Sequence, residues 1–87
     1  MTSSESSTTI CSFLEKGLRS RNFDEWADAN VYRLAGVYES YRGKAYSLVD
    51  ASHVIVFIKT VCSIADVETT LDMTRQFIKC QFKDSIV

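Results

Sequence analysis

Val54-Ile55-Val56-Phe57-Ile58 is the feature that most constrains this chain, being five consecutive apolar residues of which four are β-branched. A run this short and this rich in branched side chains reads as a buried strand. Ser63-Ile64-Ala65-Asp66 follows as a helix-start signature. In a strand, Val54, Val56 and Ile58 point to one side and Ile55 and Phe57 to the other. Both sides are then apolar, and one covering layer of helix leaves one of them in water. The expectation is a second layer supplied by another subunit.

The length sharpens that expectation. A chain of 87 residues makes one domain, and a domain of that size buries only about 60–65% of the surface its unfolded chain exposes. With 46% hydrophobic residues and 11% aromatics it has the composition of a folding chain. Ten basic and eleven acidic side chains leave a net charge of −1, without the broad positive field of nonspecific nucleic-acid binders. No apolar run is long enough to cross a bilayer, and the N-terminus lacks the basic and apolar regions of a signal peptide. These readings give an intracellular protein, cytoplasmic or nuclear, without a membrane partner. Cys11, Cys62 and Cys80 show no Cys-x-x-Cys spacing, and read as reduced, small hydrophobic side chains.

Residues 1–8 are polar after Met1 and read as a flexible tail. From an N-cap at Thr8 or Thr9, the spacing of Ile10, Phe13, Leu14 and Leu18 predicts a helix to about Ser20. Asn22 precedes Asp24, Glu25 and Asp28, acids suited to the positive end of a second helix. Ala27, Val31, Leu34, Tyr38 and Tyr41 continue its apolar face, and Arg42-Gly43 closes it. Residues 31–40 also alternate as a strand would, but a strand explains neither the acidic start nor the Arg-Gly finish. Residues 44–61 read as a hairpin turning at Asp50-Ala51-Ser52-His53. A helix with Ala51, Ile55, Ile58 and Cys62 on one face is the competing reading. Ser63 and Asp66 fit a capping box for a last amphipathic helix to about Lys83, acidic early and basic late.

The residue types that carry chemistry are sparse. His53 is the only histidine, and no glycine-flanked nucleophile accompanies it. Asp24, Glu25 and Asp28 lack the regular spacing of a calcium loop, and Gly36 and Gly43 form no phosphate-binding pattern. The chain therefore reads as non-enzymatic, with no cofactor, metal or small-molecule substrate. Arg75, Lys79 and Lys83 recur every four residues as a basic stripe able to meet RNA phosphates. All four tyrosines lie between 32 and 46, near Trp26, Arg33 and Arg42, and these are the residue types that anchor protein interfaces.

Tyr38 to Thr60, with Gly43 at a turn and Lys59-Thr60 ahead of Asp66-Val67, resembles the nine-kilodalton subunit of the signal recognition particle. That resemblance implies an α-β-β-β-α fold, a structurally similar sister subunit and RNA bound on the joint sheet. GKAYSLVDASHVIVFI resembles the hairpin of the smallest subunit of the general transcription and repair factor TFIIH, which implies a non-enzymatic stabiliser that dimerises through its sheet.

The expected fold is α+β, a single domain over 9–87 with N-terminal helices, a short antiparallel sheet and a C-terminal helix. An all-α four-helix bundle is the alternative. The expected function is a small assembly subunit, a homo- or heterodimer, with its interface at Tyr32, Tyr38, Tyr46, Val54, Val56, Phe57 and Ile58. The alternative is an RNA-binding module using Arg42, Lys44, Arg75, Lys79 and Lys83.

Overall fold

Buried positions in 44–61 fall at Ser47, Asp50, Ala51, Val54, Ile55, Ile58 and Val61, in steps of three and one that suit a helix and not a strand. In the computed structural model, which describes residues 3–84, this segment is a helix. The elements are α1 (Ser3–Leu18), α2 (Phe23–Arg42), α3 (Lys44–Val61) and α4 (Val67–Asp84). There is no strand among the described residues. The expected sheet is overturned, and with it the α+β class and the expected hairpin at Asp50–His53. The fold is all-α.

The physical reason is that burial outweighs propensity. Relative to alanine, a branched residue costs a helix at most about 0.7 kcal/mol. Burying a valine or isoleucine side chain contributes about 1.5–3 kcal/mol, and Val54, Ile55 and Ile58 are all buried. Apolar residues also occupy the outer side of α3, where Leu48, Val49 and Val56 are exposed. Their presence imitated a strand that is greasy on both sides.

α1 packs on α2 and α4, and α3 packs on α2 and α4, which closes a ring. The links between consecutive helices are residues 19–22, Gly43 alone, and 62–66, short enough to make sequence neighbours antiparallel in an up-down bundle. Ile10 and Leu14 from α1, Leu34 and Tyr38 from α2, Val54 and Ile58 from α3, and Ile78 from α4 are fully buried along its axis.

The caps follow from particular side chains. Asn22, in extended conformation, accepts from the Glu25 N–H at 3.2 Å to start α2. Gly43 ends α2, its N–H donating to the Glu39 carbonyl at 3.2 Å. With φ 86° and ψ 163°, Gly43 occupies a region open essentially to glycine alone, so the chain reverses through a single residue. α4 is capped by Asp66, which accepts from the Thr69 N–H at 2.8 Å. Ser63 instead donates to the Thr60 carbonyl at the end of α3, so the expected capping box resolves into two separate caps. α1 reaches back to Ser3, and residues 3–8 of the expected tail belong to it. Residues 1 and 2 lie outside the described residues.

Candidate protein-docking surface

Arg42 and Tyr38, singled out in the sequence for surface roles, are both drawn inside. The Arg42 guanidinium donates from Nε to Asp50 and from Nη1 to the carbonyl of Gln81. It lies 5.0 Å from the Tyr46 ring centroid and 5.5 Å from that of Phe82, close enough for cation–π attraction. The Tyr38 hydroxyl donates to Gln81 Oε1 at 2.6 Å, and Gln81 Nε2 donates to the Asp50 carbonyl at 3.0 Å. Burial, and then the Asp50 charge, push the Tyr38 hydroxyl well above its ordinary pKa. This network ties α2, α3 and α4 together at one end of the bundle.

The remaining candidates separate by burial. Val54 and Ile58 are core, whereas Tyr32, Tyr46 and Val56 are exposed and Phe57 is half-buried. Lys44, Arg75, Lys79 and Lys83 are exposed. Arg75 pairs with Asp72 at 3.0 Å on the same helix, which offsets part of the basic stripe. Arg19 is held by Glu15 at 2.8 Å and Glu68 at 3.1 Å, and the hydrogen bond that its guanidinium donates to Glu15 leads in raising its pKa.

At about 100° per residue, Ser52, Val56 and Thr60 sit near the outermost line of α3. Lys44, Leu48 and Lys59 fall on one flank, and Tyr46, Val49, His53 and Phe57 on the other. Phe57 stacks on Phe77 of α4, with centroids 4.6 Å apart and planes at 13°, so the second flank borders α4. There the two helices form a shallow groove lined by Phe57, Met73, Gln76, Phe77 and Cys80. None of these residues carries a charge. Nothing in the sequence reading pointed to Met73 or Cys80. Their spacing of about two turns along α4, with Phe77 between them on the same flank, is the signal that would have found them.

Other features are chemically quieter. Among the described residues no group of three or more His, Cys, Asp and Glu could hold a metal ion. No helix among the described residues is long and apolar enough to cross a membrane. Compared with models of protein families, with curated proteins and with solved structures, the chain matches none.

Proposed function

We propose that this protein is a small non-catalytic subunit that docks an amphipathic helix of a partner protein into the α3–α4 groove. The observation that carries this reading is a charge-free, exposed apolar surface beside a core that is already complete. Ile10, Leu14, Leu34, Tyr38, Val54, Ile58 and Ile78 are fully enclosed without help, while Tyr46, Val49 and Met73 remain in water. A trough between two antiparallel helices accepts a third helix through anchors spaced three and four residues apart. Phe57, Phe77 and Met73 are the types of side chain that adapt to such anchors.

The RNA alternative rests on Lys79 and Lys83, exposed on α4, and on Lys44. It has less support, because Arg42 is committed to Asp50 and Arg75 to Asp72. Salt separates the two readings, since phosphate contacts weaken steeply with ionic strength and apolar docking does not.

The test is comparison of native protein and Met73→Glu as baits. Loss of one co-purifying chain in the variant, with unchanged thermal unfolding and persistence of the native complex at high salt, is the expected result. Retention of that chain by Met73→Glu overturns the reading.

A further inference from the structure

The opposite flank of α3, facing α2, has a different character. On α2 the corresponding line holds Asp28, Tyr32 and Glu39, all exposed, with Tyr32 79% exposed. On α3 it holds Lys44, Leu48, Ser52, Val56 and Lys59, where Leu48 is 47% and Val56 62% exposed. Among the described residues, Asp28, Glu39, Lys44 and Lys59 form no ion pair. Acids and a bare tyrosine thus lie on one helix, and lysines with bare aliphatics on its neighbour.

We propose that this α2–α3 face binds a second copy of the chain about a two-fold axis running along the helices, so that α2 of each copy lies on α3 of the other. The choice of occupant follows from self-complementarity. α2 and α3 are antiparallel and turn at Gly43, so residues equally distant from Gly43 in sequence lie level. A two-fold axis along the helices preserves that level while exchanging the two helices. Asp28 then meets Lys59 of the second copy, and Tyr32 lies over Val56. Glu39 lies beside Leu48 within reach of Lys44. Gly36, where an added Cβ would meet nothing within 4 Å, leaves α2 low beside Tyr32 for close approach. The alternative of pairing α3 with α3 would set lysines against lysines, because the acid of α3, Asp50, is buried on Arg42.

Size sets the strength. α3 has 18 residues and spans about 27 Å, and two helices side by side at about 9 Å make a face of about 500 Å². A dimer burying about 1,000 Å² in total sits at the lower limit of specific interfaces. Its association is therefore reversible and concentration-dependent.

Sedimentation equilibrium of the full chain across micromolar to millimolar concentrations tests this directly. The expected result is a monomer–dimer equilibrium that Tyr32→Ala, Asp28→Lys and Lys59→Glu each weaken by about three- to ten-fold. Combining Asp28→Lys with Lys59→Glu restores it, because each reversed charge again faces its opposite. Tyr32 and Asp28 are exposed and Lys59 is half-buried, and unchanged circular dichroism confirms that the variants fold. A monomer at every concentration overturns the proposal, as does a failure of the double variant to recover. A dimer indifferent to these changes but lost in Met73→Glu overturns it too, placing self-association in the α3–α4 groove. Partner docking in that groove is read separately by the bait comparison, so either idea fails without the other.

Discussion

Arg42 and Asp50, eight residues apart on consecutive helices, form an ion pair whose side chains are 4% and 8% exposed. The turn at Gly43 makes this possible, since it folds the last turn of α2 back against the first turns of α3. The pair does not stand alone. Gln81 of α4 accepts from Arg42 through its carbonyl and donates to the Asp50 carbonyl through its amide, so three helices share one polar knot in an apolar setting.

Removing one partner strands the other charge in the interior, and Arg42→Ala or Asp50→Ala is expected to cost about 3–5 kcal/mol. A chain of this size has a total of about 4–13 kcal/mol, so either variant loses a large share of its stability. Urea denaturation followed by circular dichroism measures it. A loss below about 1 kcal/mol would show the pair to be solvated.

Two helical glycines, Gly17 in the last turn of α1 and Gly36 inside α2, should answer alanine in opposite directions. At Gly17 an added Cβ would lie 2.3 Å from the Trp26 ring, which is packed between Phe13 and Phe23. Gly17→Ala is expected to destabilise by about 1–3 kcal/mol through overpacking. Gly36 has open space, so Gly36→Ala is expected to stabilise by about 0.5–1 kcal/mol through helix propensity. Thermal unfolding of the two variants gives the comparison, and equal shifts would refute the α1–α2 contact.

Tyr38 links stability to alkaline pH. Its folded pKa is raised by burial above the ordinary value of 10.0, so the unfolded chain releases the proton first. The stability it contributes is fully present below pH 10.0 and is lost as pH rises beyond it. Tyr38→Phe should flatten this part of the stability profile. It should also lower stability at neutral pH by about 1–3 kcal/mol, because Gln81 Oε1 loses its buried donor. An unaltered alkaline slope in Tyr38→Phe would assign the effect to other groups.

Asp66 acts at the acid end. The Thr69 N–H lowers its pKa below the ordinary carboxylate value of 3.8, so its contribution is present above that pH and is lost as pH falls through the lowered value. Asp66→Asn, which keeps an oxygen acceptor, should retain the cap and lose this acid dependence. Hydrogen exchange in the first turn of α4 reports both.

Much of the bundle was legible because three helices follow simple rules. Asn22 and Gly43 marked both ends of α2 at the correct residues, and Ile10, Leu14 and Leu18 marked α1. α3 was hidden for two reasons. Leu48, Val49 and Val56 face outward and erase the contrast between its faces, while the buried Asp50, with Ser52 after it, carries a side chain that reads as turn chemistry. The partner of Arg42 was equally invisible. A cation in the last turn of α2 was expected to serve the helix dipole, and only the tight turn at Gly43 reveals that an aspartate in the next helix receives it. The α3–α4 groove was legible only through Phe57, since its other wall depends on how α4 is rotated.

Photo-crosslinking from a benzophenone attached at an exposed thiol in native extract tests the docking surface most directly. Cys80 lines the α3–α4 groove and Cys62 lies in the link after α3, both exposed. With the other exposed cysteine replaced by serine, the probe at Cys80 should capture one partner chain, and Met73→Glu should abolish that capture. The probe at Cys62 should not capture it. Identical products from both positions, or a Cys80 product that survives Met73→Glu, would contradict docking in the groove.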